Sequence, residues 1–171
     1  MTNDEPQVEQ RQPSLIDALR QQREILAEQR TTLIPIPGYD SPGLLVEYHL
    51  LDGHDLERIQ RRVFQSTKDR WTRQLWVAVD VMIEAASGVY YTQNGSTEPQ
   101  PLIGAGDVQI AGYNNALAEM LGLQGAESAR MVVIGTFAGR ELAIARHSIR
   151  LQAWMSGENA DVDEEFLGEG L

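Results

Sequence analysis

HDLERIQRRVFQSTKDRWTRQLWVAVDVMIEAASGVYY, residues 54–91, is the stretch whose reading decides the fold. Leu75, Val79, Met82, Ile83 and Ala86 recur at helical spacing and form one apolar stripe. Trp71 lies one turn upstream and is placed on the same stripe. The spacing predicts a long core helix ending at Gly88, a residue able to take positive φ as a helix stop. A shorter helix from about Gly53 to Gln65 precedes it, capped by Asp52 with Asp55 near the positive end of the helix dipole. Ser66-Thr67-Lys68-Asp69 reads as a break and a fresh cap between the two.

Upstream, Leu44, Val46, Tyr48 and Leu50 alternate with Leu45, Glu47, His49 and Leu51, the period of a half-buried strand. Thr31–Ile36 is its expected partner, at a sheet edge because Pro35 has no N–H to donate. The pair reads as a β-hairpin at about 31–51, with a loop of about seven residues punctuated by Pro37-Gly38 and Pro42-Gly43. Before it, Ser14 and Asp17 suit the start of a helix running to about Arg30. The apolar residues of that helix, Leu15, Ile16, Leu19, Ile25 and Leu26, make a thin stripe, read as packing on its own domain. The alternative is a stripe kept for a partner.

Downstream, Val89–Thr92 reads as a strand, Asn94-Gly95 as a tight turn, and Glu98–Gly112 as loop. Three helices are expected after that: from Tyr113 to a stop at Gly122, from about Glu127 to Phe137, and from Arg140 to about Met155. The last carries one seam of Leu142, Ala145 and Ile149 and a neighbouring one of Ile144, Leu151 and Met155. The expectation is therefore a mainly α protein with a small β-hairpin, class α+β. Residues 1–13 are expected to be disordered, 14–156 to form a single helical domain, and 157–171 to form an acidic tail.

Composition narrows the function. The chain has 171 residues, a formal net charge of −11 and no cysteine. The charge opposes nucleic-acid and anionic-lipid partners. The absence of cysteine excludes disulfides and thiolate ligands and fits a cytoplasmic setting. The polar start MTNDEPQVEQRQP lacks the apolar core of a signal peptide, and no apolar run is long enough for a membrane span.

No catalytic or cofactor constellation emerges. His49, His54 and His147 lack metal-site spacing. Gly104-Ala105-Gly106 matches half of a dinucleotide fingerprint without its βαβ setting, and Gly135–Gly139 lacks the Lys-Ser/Thr of a P-loop. Asp80 and Glu84, one helical turn apart, have no partner that would make them an acid–base pair. Arg58, Arg61, Arg62, Lys68, Arg70 and Arg73 form a basic cluster, read as a solvated helix face. Its competing readings are a nucleic-acid footprint and a dock for an acidic segment. After Ser156 the chain carries six acidic residues and no basic one, with Phe166 and Leu167 as its apolar anchor. It reads as a solvated tail, or as a short motif that folds on a partner.

The order of features resembles a family of tail assembly chaperones from long-tailed phages of actinobacteria. The segments that carry the resemblance are ALRQQREILAEQRTTLIPIPGYDSPGLLVEYHLLDGHDLERI, DVMIEAASGVYY, NNALAEMLGL and LQAWMSGENADVDEEFLGE. The resemblance implies a non-enzymatic, mostly helical protein without cofactors. It would bind the phage tape-measure protein, help to recruit the tail-tube protein and act in the host cytoplasm; self-association is a further option. A tape measure is a long helix with exposed apolar stripes, which many weakly bound copies of a soluble protein would cover. The contacts expected from this reading are Leu19 and Leu26 on the first helix and Phe166 and Leu167 in the tail. The rival is a structural virion protein at a head or tail joint.

Overall fold

A computed structural model describes residues 15–28 and 30–157, in two compact units that divide between Arg30 and Thr31. The first unit contains α1 (Leu15–Glu28). Its Leu15, Leu19 and Leu26 fall on one stripe, with Ile16 and Ile25 to either side. These five side chains are exposed, Leu19 at 55% and Leu26 at 69%. Within the first unit, no described residue covers this stripe. The proposed cap at Ser14 and the tail residues Phe166 and Leu167 lie outside the described residues.

The second unit is α+β, as its alternating and helical periods require. β1 (Thr31–Asp40), β2 (Gly43–His49), β3 (Ala86–Thr92) and β4 (Gln100–Pro101) form an antiparallel sheet in the order β1-β2-β3-β4. The predicted hairpin is the first half of this sheet. Its connection is shorter than expected: pairing resumes at Asp40 and Gly43, leaving Ser41 and Pro42 to turn the chain. The slack is taken up by an irregularity between Pro35 and Asp40. Ile34 and Ile36 on β1, Leu44, Val46 and Tyr48 on β2 and Val89 on β3 are buried against the helices.

Two helices connect β2 to β3. α2 (Gly53–Ser66) begins at Asp52, which accepts the Asp55 amide at 2.8 Å, and α3 (Arg70–Ala85) begins at Asp69, which accepts the Thr72 amide at 2.7 Å. Both caps and the break between them agree with the sequence reading. α3 packs against α2, α5 (Ala129–Thr136) and α6 (Glu141–Met155), and Ala78 to Met82 are all buried. A helix buried all round in this way is the centre of its unit.

Two details of this stretch are corrected. α3 stops at Ala85, and the chain enters β3 at once from Ala86. Gly88 is therefore a strand residue and is not among the positive-φ glycines. Its lack of a side chain serves close approach instead: a Cβ there would meet Gln109 Nε2 at 2.9 Å and the Tyr90 ring at 3.0 Å. Trp71, assigned to the core stripe, is 48% exposed and donates its indole N–H to Glu141 Oε2 at 3.0 Å. It occupies the first turn of α3, at the end of the helix, where a large ring finds less cover than at its centre.

The segment 98–112 is mostly irregular, and its backbone is tied to β3. Leu102 N–H donates to Val89 C=O at 2.8 Å, and Val89 N–H donates to Ile110 C=O at 2.8 Å. α4 (Asn115–Met120) and α5 complete the layer, capped by Asn114 and Ser128. Gly122 takes positive φ at the stop the sequence assigned to it, and Gly139 takes it in the corner between α5 and α6.

Candidate functional site

Aspartates and glutamates at helical spacing account for most of the basic cluster on α2. Arg61 bonds Glu57 one turn back at 2.7 Å, and Arg58 bonds Asp55 at 2.8 Å and also Glu84 on α3. Arg62 reaches Asp80 Oδ2 at 3.0 Å. Arg73 turns inward to the Thr67 carbonyl at 2.6 Å and stacks over the Phe64 ring. Among the named cations, Lys68 and Arg70 remain exposed with no ion pair. The three α2 arginines of the cluster are thus neutralised by ion pairs, and Arg73 is held without one.

Asp80 is the hub of this arrangement. It is 4% exposed, and its carboxylate accepts both Arg130 Nε and Arg130 Nη2 at 2.7 Å as well as Arg62. Arg130 in turn lies over the Trp76 ring, 4.9 Å from its centroid. A buried carboxylate demands such pairing, because an isolated buried charge is far too costly to keep. Asp80 and Glu84 therefore serve as counter-ions that join α2, α3 and α5.

A second polar group is sealed in the core. Tyr48 Oη lies 2.6 Å from Tyr113 Oη and 2.8 Å from His147 Nε2. His147 is 2% exposed, and Phe137 meets its ring edge-on at 5.3 Å. Burial, and secondarily the charge of Arg150, push the His147 pKa down to about 4, and a backbone interaction with Pro35 opposes this. That interaction falls short of hydrogen-bond geometry, so Nδ1 has no hydrogen-bond partner. Burial also raises the pKa of Tyr48 and of Tyr113. All three groups are neutral near pH 7, where they behave as a polar pin between β2 and α6.

Two surface features can receive a partner within the second unit. One is an apolar groove of about 500 Å³ lined by Phe64, Trp71, Leu75, Ala145 and Ile149. Ile149, with Leu142, belongs to the α6 seam left exposed, whereas Ile144 and Leu151 on the neighbouring seam are buried. The other is a cleft of about 730 Å³ between β1 and α6, whose lining includes Pro37, Leu142, Arg140, Arg146 and Arg150. Arg140 donates to the carbonyls of Phe137 at 3.3 Å and Pro37 at 3.1 Å. Arg146 and Arg150 are exposed and form no ion pair or hydrogen bond with a described residue. Glu141 also lines the cleft, its carboxylate engaged by Trp71.

The sequence reading missed this second group of arginines. The signal was present: the residues three and four positions from Arg146 and Arg150 on α6 include no acid. Of the predicted contact residues, Leu19 and Leu26 share one stripe of α1, and Phe166 and Leu167 fall outside the described residues. Among the described residues, no three His, Asp or Glu side chains gather as a metal site, and no helix is long and apolar enough to cross a membrane. Comparison of the chain with family models, with curated proteins and with solved structures gave no match.

Proposed function

We propose that this protein is a tail assembly chaperone of a long-tailed phage, which binds the tape-measure protein, helps to recruit tail-tube subunits and performs no covalent chemistry. The observation that carries the reading is α1. It presents Leu15, Leu19 and Leu26 along one stripe, all exposed. An amphipathic helix with a bare apolar face is suited to lie against another apolar helical surface, with anchors at helical spacing. The tape measure supplies such a surface in many repeats, so single contacts stay weak and the assembly is held by their number. The resemblance of the quoted segments to the chaperone family supplies the identity of the partner.

Co-expression with the tape-measure protein encoded by the same phage tests this. The expected result is that the intact chain keeps the tape measure soluble and co-purifies with it, and that the pair Leu19→Glu and Leu26→Glu abolishes both. Solubility of the tape measure that does not depend on this chain overturns the proposal. Recovery of the polypeptide from purified virions favours the rival, a structural protein at a head or tail joint.

A further inference from the structure

We propose that the cleft between β1 and α6 is a docking site for the chain's own C-terminal segment 158–171, whose acidic run meets Arg146 and Arg150 and whose Phe166-Leu167 pair covers Leu142. The proposal is independent of the chaperone reading.

Charge complementarity is the first argument. Arg140, Arg146 and Arg150 line the cleft. Neither Arg146 nor Arg150 has a counter-ion among the described residues, in a chain whose formal net charge is −11. The segment 158–171 carries Glu158, Asp161, Asp163, Glu164, Glu165 and Glu169 and no cation. The α2 arginines are poor competitors, because Arg58, Arg61 and Arg62 already hold carboxylates.

The cleft is also amphipathic in the sense the segment needs. Leu142, 65% exposed, and Pro37 supply apolar surface beside the guanidinium groups. In the segment, Phe166 and Leu167 directly follow the acidic run Asp163-Glu164-Glu165. Leu142, Arg146 and Arg150 succeed one another at intervals of four on α6, so they form one strip toward which a returning chain can run.

Reach is sufficient. Along α6 and its last turn, Arg150 lies roughly 10 Å and Leu142 roughly 22 Å from Gly157 at 1.5 Å per residue. An extended chain spans at most about 3.3–3.6 Å per residue, so Phe166, nine residues beyond Gly157, reaches about 30 Å. The acidic run can thus lie beside Arg146 and Arg150 while Phe166 meets Leu142. Exposed ion pairs are individually weak, but a short tether holds the segment at an effective concentration on the order of millimolar, which lets weak contacts suffice.

Hydrogen–deuterium exchange of the full chain tests the proposal. Amides from Asp161 to Leu167 are expected to exchange about fivefold more slowly than the same sequence as a free peptide, about 1 kcal/mol of protection by the tenfold-per-1.4 conversion. Arg146→Glu with Arg150→Glu is expected to remove that protection, and Phe166→Ala with Leu167→Ala to remove it independently. Both arginines are exposed, so helix content should not change, and stability should fall by no more than the roughly 1 kcal/mol that docking supplies. Reversing the segment's charges, Asp163→Arg, Glu164→Arg and Glu165→Arg, on the double-glutamate background should restore protection. Free-peptide exchange in the unaltered chain overturns the proposal, as does protection indifferent to the arginine substitutions. Protection that grows with protein concentration also overturns it, since the occupant is then the segment of a second copy.

Discussion

Arg58, Arg61 and Arg62 on α2 carry the same charge as Arg140, Arg146 and Arg150 around α6, in opposite surroundings. The α2 set is matched from within its own helix by Asp55 and Glu57 and from α3 by Asp80 and Glu84. The α6 set includes two exposed side chains, Arg146 and Arg150, with no counter-ion among the described residues. The α2 arginines, read from the sequence as a solvated face with a docking site as the alternative, are part of the scaffold. Besides Lys68 and Arg70, cations without a described counter-ion came from a helix whose sequence drew attention for its apolar seams. What distinguishes a site from a solvated face is thus the supply of counter-ions.

The comparison breaks most visibly at its most buried member. Asp80→Ala should destabilise the protein by about 3–5 kcal/mol, because Arg130 then keeps its charge in a half-buried place with nothing to hold it. A shift in the urea midpoint measures this. A loss below about 1 kcal/mol would mean that the α2–α3–α5 network behaves as a surface contact.

Next in size is an acid effect beneath the α6 arginines. His147 titrates at about 4 in the folded chain against 6.5 ordinarily, so between these values the unfolded state binds more protons. Its contribution to stability is complete above the ordinary value, falls as pH drops from 6.5 towards 4, and levels off below. The total is up to about 3 kcal/mol at 1.36 kcal/mol per pH unit. Denaturation midpoints across this range, for the intact chain and for His147→Phe, should differ in slope. Arg150→Gln sharpens the comparison, since removing that neighbouring charge should raise the folded-state pKa of His147, so that less stability is lost on acidification and the loss levels off at a higher pH.

Smaller still is Arg62→Ala. Half exposed and one of two partners of Asp80, it should cost about 0–1 kcal/mol, less in high salt. Comparable at most is the effect of Arg146→Gln with Arg150→Gln. Its loss of stability near pH 7 should not exceed the roughly 1 kcal/mol of segment docking, because these groups touch no described counter-ion. A substantial loss would place both arginines in the scaffold with the α2 set.

Local signals were the most legible. Asp52, Asp69 and Gly122 act where their side chains, or the lack of one, predicted. The strand alternation of Leu44, Val46 and Tyr48 gave the buried face of the sheet directly. The end of α3 was less legible, because Ala86-Ser87-Gly88 carries no side chain that favours a strand. Those residues are held extended by pairing with β2, in which Gly88 lies opposite Glu47. The two-residue β4 is visible only through its partner, Tyr90 and Tyr91 of β3. Trp71 shows the complementary failure: period alone assigned it to the core, yet in the first turn of α3 it stays half exposed.

The amino-acid sequence by itself determined the elements, their caps and the faces with an apolar period, because each depends on residues within a turn or two of one another. Only the tertiary structure decided which faces were covered and which charges were matched between elements. Cover and counter-ions come from chain segments tens of residues away, as Asp80 and Arg130 do for each other, and spacing along one helix carries no record of them.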